Sequence, residues 1–480
     1  MRCTVTLEFD DGAGTETRRV EVIRLHRTTS DPTFGDVGLS LAEGKSLINS
    51  IQQEFVVEQI TCFCTSRRAC RACGVPRRLH DSHSSELKTT LGKVFYCRER
   101  WKACDCGADA SRYVSPLKHY FTDVTTGELR WLHAELGASM PYRQARQIMN
   151  LLLPMSGRDS HVTIRNHTMN VGKCIQHARP AHRWGDETKP DAELGIDVGY
   201  VRRARSNGQG ARKGNRTTTG KESLSLAVVV AALGRTGRQP RVWASAMPRS
   251  RHLQEEMTEF LRDSGYDDSN DVCVLTDGAL DLAGVAADLP FNTEWVLDWA
   301  HIGRMLRYAD QAVAPLAYAQ LTVNGSAFEL WDLFVRFRNL VWTGDAAGWQ
   351  GLAKKLHRLL DLREKRDPDS SCQVRQARRK LLDVVTYLQA NRDSLIDYRT
   401  RQRAGRRIST GFVESSINRI IGRRMCKGQH MRWSRVGAHN IVQVRVALLN
   451  QELLDLSKHQ FPWIGERRVS WPWQSTSRAF

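Results

Sequence analysis

Eight of the chain's twelve cysteines lie at or before position 106: Cys3, Cys62, Cys64, Cys70, Cys73, Cys97, Cys104 and Cys106. Four of these make two close pairs, Cys70-Arg-Ala-Cys73 and, thirty residues further on, Cys104-Asp-Cys106. The remaining four (Cys174, Cys273, Cys372, Cys426) are scattered. A secreted disulfide framework calls for a signal peptide. The opening Met-Arg-Cys-Thr-Val-Thr-Leu-Glu-Phe, broken by Asp10 and Asp11, does not read as one. Reduced thiols at short spacing read instead as zinc ligands, because Zn²⁺ takes four soft donors in a tetrahedron and two knuckles on facing hairpins supply them. Gly74 after Cys73 lets backbone amides turn toward sulfur, and the stretch 93–102 (KVFYCRERWK) alternates like a strand feeding the second knuckle. The spacing predicts a zinc-ribbon-like module over 61–115 with Cys70, Cys73, Cys104 and Cys106 as ligands. The second knuckle is one residue short of the usual spacing, so Cys62 and Cys64 compete for the ligand set. Cys97 is expected to pack along the strand. The plain alternative is a group of buried thiols.

Charge narrows the partner. Of 480 residues, 71 are Lys or Arg and 52 are Asp or Glu, a net charge of +19 with pI ≈ 9.7. A basic chain of this size implies a polyanion, with nucleic acid the first candidate and an acidic membrane surface the second. Apolar runs such as 226–233 fall far short of the ~18–20 residues of a membrane span, so no membrane is expected. A cytoplasmic, nucleoid-associated protein follows. A hydrophobic fraction of 41% with 26% charged residues excludes collagen-like and wholly disordered chains. The length predicts about three domains.

Periodicity divides the chain further. Residues 1–28 alternate around Asp10-Asp11-Gly12 as a β-hairpin, and 39–60 carries helical spacing, making an N-terminal region of 1–60. Short helices over 126–136, 142–153 and 163–177 predict a helix-turn-helix within 120–180. Its third helix presents Arg165, Asn166, His167 and Asn170 to DNA; a small helical bundle is the alternative. A Pro-rich linker covers 179–191. Strands follow at 194–201, 223–233 and 241–247, with a basic glycine-rich loop at 206–221. Then come a helix at 251–264, a strand at 271–276, a helix at 279–288, a strand at 293–298 and a helix from 299. A three-strand meander followed by returning βα units is the connectivity of an RNase H-like fold. The expectation is an α/β multidomain chain, its RNase H-like core preceded by a zinc-ribbon-like module and a helix-turn-helix. The core's first part is 190–310, an all-helical insertion fills 311–400 with a break at Pro368, and final helices occupy 401–455. The last long helices are expected at 409–425 and 436–454, and 456–480 forms a weakly ordered tail.

That connectivity gathers acids. Asp197 sits inside an apolar strand, where burial is costly without a partner or a cation. Asp277 ends the fourth strand, a neighbour of the first. Glu414 lies on a late helix whose apolar stripe is Val413, Ile417, Ile420 and Ile421. Clustered carboxylates call for Mg²⁺ or Mn²⁺, which prefer oxygen. A pair of ions ~4 Å apart suits phosphodiester displacement, so all three acids are expected within one metal-bridging span. Asp298 and His301, one helical turn apart, form a second element; Asp298 serves as an alternative acid, orients His301, or caps the following helix.

The stretches Gly195-Ile196-Asp197-Val198-Gly199, Leu275-Thr276-Asp277-Gly278, Asp298-Trp299-Ala300-His301-Ile302 and Gly411-Phe412-Val413-Glu414-Ser415-Ser416-Ile417-Asn418 together resemble DDE insertion-sequence transposases. The resemblance is greatest to the ISKra-type family within the Mutator-like and ISL-type group. Arg424-Met425-Cys426-Lys427-Gly428 and Met431-Arg432-Trp433-Ser434 fit the same group, and the resemblance spans about 60–460. It implies a catalytic triad of Asp197, Asp277 and Glu414, with Asp298 and His301 at the active site. The 137-residue separation of Asp277 from Glu414 then matches family members with a helical insertion. It implies binding to terminal inverted repeats and metal-dependent cleavage and joining of DNA strands by a homo-dimer or larger assembly. Arg212, Lys213, Arg216, Arg419, Arg423 and Arg424 would contact phosphates, and Arg432 with Trp433 would clamp a DNA end. The rivals are a non-catalytic DNA-binding regulator and an RNase H-like structure-specific nuclease.

Overall fold

The computed structural model describes residues 1–10, 17–27, 37–118, 120, 123–155, 160–176, 191–204, 225–234, 239–246, 253–318, 327–366, 368–426 and 431–460. The chain is mixed α/β and divides into two compact units, Met1–Ala178 with Glu452–Phe480, and Arg179–Gln451. Among the described residues, no helix is long and apolar enough to cross a membrane.

In the first unit, β1 (Arg2–Asp10) and β2 (Thr17–His26) form the expected antiparallel hairpin. Helix α1 (Leu41–Arg67) starts at a capping box: Ser40 Oγ accepts from Glu43 N, and the Glu43 carboxylate accepts from Ser40 N at 2.9 Å. Such a cap contributes about 1 kcal/mol. α1 runs beyond the expected end at 60 and carries Cys62 and Cys64 inside the helix. Strands β3 (Leu79–Thr89), β4 (Gly92–Lys102) and β5 (Tyr113–Val114) make a second antiparallel sheet in that order. Its inner face (Leu87, Val94, Tyr96, Trp101) packs on Ile60 and Cys64 of α1 and on Leu117. Cys97 points away from this core and is exposed, contrary to the expected packing, because it alternates with buried Tyr96.

Three helices follow where periodicity placed them: α2 (Gly127–Ser139), α3 (Tyr142–Leu152) and α4 (His161–Ile175), the last capped by Ser160 Oγ. α2 and α4 meet closely at Gly137, where a Cβ would lie 2.3 Å from Thr168 Oγ1.

The second unit holds a five-stranded sheet ordered β10-β9-β6-β7-β8, from β6 (Ala192–Arg202), β7 (Ser225–Leu233), β8 (Arg241–Ser245), β9 (Asp271–Thr276) and β10 (Asn292–Leu297). β6, β7 and β8 are antiparallel, whereas β9 and β10 run parallel to β6. On one face, α5 (Leu253–Asp263) and α6 (Leu280–Asp288) cover Leu194, Ile196, Val229 and Val274. Helices α7 (Trp299–Tyr318), α8 (Ala327–Trp342), α9 (Ala346–Arg366) and α10 (Ser371–Ala390) build a core around Phe334, Phe337, Trp349 and Leu381 that continues onto Leu275 and Val296. A short 3₁₀ turn, Pro368–Ser370, marks the expected break. The short α11 (Tyr398–Arg403) leads back to the sheet.

The last part of the chain refines one expectation and overturns another. The helix expected at 409–425 is α12 (Gly411–Ile417) running into a π-helical stretch, Asn418–Cys426. The buried Arg445 on α13 (Arg435–Leu449) donates to the carbonyls of Arg419 and Ile420, so these oxygens are satisfied from outside the helix. The helix expected at 436–454 also divides. The chain turns through Gln451 at φ 62°, and α14 (Leu453–Gln460) joins the first unit, packing on α2 and α4 with Leu453 and Leu456 buried. This replaces a weakly ordered tail from 456 with a helix; 461–480 lie outside the described residues.

Candidate metal centre and carboxylate site

Cys70, Cys73, Cys104 and Cys106 converge, with all four sulfurs within 4.8 Å of one another. Cys70 Sγ lies 3.6 Å from Cys106 Sγ, and Cys73 Sγ lies 3.3 Å from Cys104 Sγ. Four sulfurs at Zn–S ~2.3 Å stand about 3.8 Å apart at tetrahedral corners, so this set can hold a metal ion such as zinc. Gly74 and Gly107 follow the two knuckles at φ +75° and +78°, a conformation that lets each loop curl under its sulfurs. The amides of Cys73 and Ala72 aim at Cys70 and pull its thiol down to about 6. The short second knuckle is braced from outside. Asp109 accepts from Cys104 N at 2.9 Å and takes both arms of Arg77, which also donates to the Ala69 carbonyl. Arg77, then Cys104 N, holds the Asp109 carboxyl down at about 2. The rival thiols stand apart from this set. Burial pushes the Cys64 thiol up to about 11, and Cys62 faces Glu58 along α1.

In the second unit, β6 lays Gly195, Asp197 and Gly199 on one face, since side chains alternate along a strand. Both glycines are required there. A Cβ on Gly195 would meet Val413 at 2.2 Å, and one on Gly199 would meet Ile421 at 2.3 Å. Flanking Asp197 with two missing side chains seats α12 and the π-helical stretch directly on the strand. Strand register brings the other acids level. Gly195 pairs with Leu275, so two residues further on Asp197 comes beside Asp277; Leu297 pairs with Thr276, so Asp298 follows at the same height. Glu414 sits in the first turn of α12, exposed beside buried Val413.

The electrostatics follow from this geometry. Burial pushes the Asp197 carboxyl up to about 6, against the favourable Val198 N–H at 2.6 Å, and the charges of Asp277, Asp298 and Glu414 push the same way. Among the described residues, the four cysteines are the one set of three or more such donors whose ligand atoms all lie within 4.8 Å. Strand register sets Asp197 beside Asp277, and Glu414 lies near enough for its charge to act on Asp197.

Of the roles expected for Asp298, the structure shows the helix cap. Asp298 is buried, and its two oxygens accept from Thr410 N at 3.1 Å and Thr410 Oγ1 at 2.8 Å; Oδ1 also accepts from Ala300 N. It caps α7 and ties the segment before α12 to the end of β10. His301 lies in the first turn of α7, its ring 5.1 Å from that of Tyr387. Sequence reasoning missed Thr410 and Tyr387. A Thr just before a helix is a legible signal, whereas nothing in the sequence links Tyr387 to Asp277.

The residues expected on DNA divide by exposure. Arg165, Asn166 and Asn170 are exposed on α4, whereas His167 turns inward, its Nδ1 2.7 Å from Nδ1 of His133. Arg423 is exposed and Arg419 half-buried. Arg424 is 1% exposed, with its guanidinium against Met431 and 5.7 Å over the Trp433 ring. It packs the core and does not face a phosphate. Trp433 is likewise buried, bridged through its backbone to Arg202 and Ala204, so it is no clamp for a DNA end. Arg212, Lys213 and Arg216 lie outside the described residues. A cavity of about 350 Å³ opens at the other ends of β9 and β10, where Glu294 is neutralised by Arg401 and Arg406.

No protein-family model matches the chain, and no curated protein matches it either.

Proposed function

We propose that this chain is a DDE-type DNA transposase, with Asp197, Asp277 and Glu414 as its catalytic acids. The observation that carries the reading is the carboxyl of Asp197, half-buried in mid-strand beside Asp277 and pushed to about 6, with Asp277, Asp298 and Glu414 adding their charge. A fold leaves such a group unpaired at a cost, and a divalent cation relieves it. The donors are all carboxylate oxygens, which fits Mg²⁺ or Mn²⁺. A bound pair of such ions supplies Lewis acidity for phosphodiester displacement. Asp197 and Asp277, held by adjacent strands, are the rigid ligands. Glu414, exposed on α12, is the third ligand, supplied from the helix seated on β6. Thr410 and Asp298 fix where that helix begins.

The strand order, with three antiparallel strands followed by two parallel ones, supports an RNase H-like core. α2, α3 and α4, with Arg165, Asn166 and Asn170 exposed on the last, support a helix-turn-helix that reads the terminal inverted repeats. The four thiols support a zinc-ribbon-like module beside it, and the net charge of +19 supports a DNA partner. Recombination pairs two ends, so a dimer or larger assembly on DNA belongs to the reading.

Asp197→Ala should abolish Mn²⁺-dependent cleavage of DNA carrying the element's ends, by at least ~10³-fold, while specific binding persists. Binding without cleavage in the wild type would favour the regulator. Cleavage of branched DNA without strand transfer would favour the structure-specific nuclease.

A further inference from the structure

Asp277 ends β9 in a tight loop with few bonds of its own. Asp277 Oδ1 accepts from Ala279 N at 3.1 Å, and Gly278 N donates to Thr276 Oγ1 at 3.3 Å. Gly278 adopts φ +75°. The loop is held from a distance in sequence, by the far end of α10. Tyr387 Oη donates to the backbone carbonyl of Asp277 at 2.7 Å. One turn on, the Asn391 side chain donates to Tyr387 O and stands where a Cβ on Gly278 would lie, 2.5 Å from Asn391 Oδ1. Tyr398 makes the matching contact on the neighbouring strand, its Oη donating to Leu297 O at 2.9 Å, one residue before Asp298. Burial, and after it the charges of Asp277 and Asp298, push the Tyr387 phenol above its ordinary range, so it stays a neutral donor.

We infer that Tyr387 is a positioning residue for Asp277, and that the end of α10 serves the site by clamping the loop after β9. This rests on the proposed role of Asp277 as a metal ligand. The hydroxyl touches a main-chain oxygen and not the reacting atoms. It fixes the height and rotation of the peptide from which the Asp277 carboxylate projects. Ligand groups need placement within about 0.5 Å, and loss of a group that orients a ligand costs about 10–100-fold in metal affinity. The His301 ring lies beside that of Tyr387, tilted by 35°.

Tyr387→Phe keeps the ring and its packing and removes the one hydrogen bond. Mn²⁺ binding is measured on the full chain without DNA, by the rise in melting temperature against metal concentration, and cleavage is measured in parallel. Tyr387→Phe should need about tenfold or more Mn²⁺ for half-maximal stabilisation and half-maximal cleavage, with metal-free melting temperature and DNA binding near wild type. Tyr398→Phe, one step removed from the ligand, serves as the matched loss of a buried hydroxyl. Unchanged Mn²⁺ dependence in Tyr387→Phe, or an equal shift in Tyr398→Phe, would overturn the inference. A wild type whose Mn²⁺ stabilisation survives Asp277→Asn and Asp197→Asn would instead overturn the reading of the site itself.

Discussion

Asp197 shows how partial burial alters the chemistry of one residue. Its folded pKa of about 6 exceeds the ordinary ~3.9 of an unfolded chain. The folded protein therefore binds this proton more tightly than the unfolded one. Its contribution to stability is complete below pH ~4 and is lost as pH rises through ~6, by at most about 3 kcal/mol. In chelator, the wild type should lose stability across that window relative to Asp197→Asn, measured by urea unfolding at several pH values. Mn²⁺ should remove the difference. The four thiols invert the lesson. Sequence spacing identified all four, yet Asp109 and Arg77, which seat the short second knuckle, carried no signal because their partnership is formed across thirty-one residues of fold.

At the scale of elements, the fit of α12 on β6 decides the site. Gly195 and Gly199 have no room for a side chain against Val413 and Ile421. Gly199→Ala should cost about 1–3 kcal/mol by overpacking and should weaken Mn²⁺ stabilisation, because α12 must lift and take Glu414 with it. Gly284 on α6 meets nothing within 4 Å, so Gly284→Ala should be neutral or stabilising by up to about 1 kcal/mol. Thermal melts of the two variants with and without Mn²⁺ check this pair. Helix periodicity located the element but not its geometry. Where the helix passes from α to π form, Arg445, from a separate helix, takes the carbonyls of Arg419 and Ile420.

For the whole molecule, charge sets behaviour before any site does. With a net charge of +19, DNA affinity should fall steeply with salt, log K declining linearly with log salt concentration. Replacing exposed Arg423 with Ala should lower that slope by about one and weaken all sequences alike. Replacing exposed Asn170 should leave the slope unchanged and reduce discrimination between cognate and random DNA. Fluorescence anisotropy across a salt series separates the two. Arg424→Met should leave the slope unchanged, since its buried guanidinium faces Trp433.

Local pattern decided what local forces control. Alternation and turn residues located the N-terminal hairpin and the strands of the large sheet, and Cys-x-x-Cys with Cys-x-Cys located the thiol cluster. An acid within an apolar strand marked Asp197. Three-dimensional packing decided the rest. It buried Arg424 and Trp433, made Asp298 a tie to Thr410, sent α14 back to the first unit, and hung Asp277 from Tyr387. Periodicity reports which face of an element is apolar, but not which distant element will cover it. That choice is made by shape and by hydrogen bonds such as Thr410 to Asp298 and Tyr387 to Asp277, whose partners lie more than a hundred positions apart and share no local window.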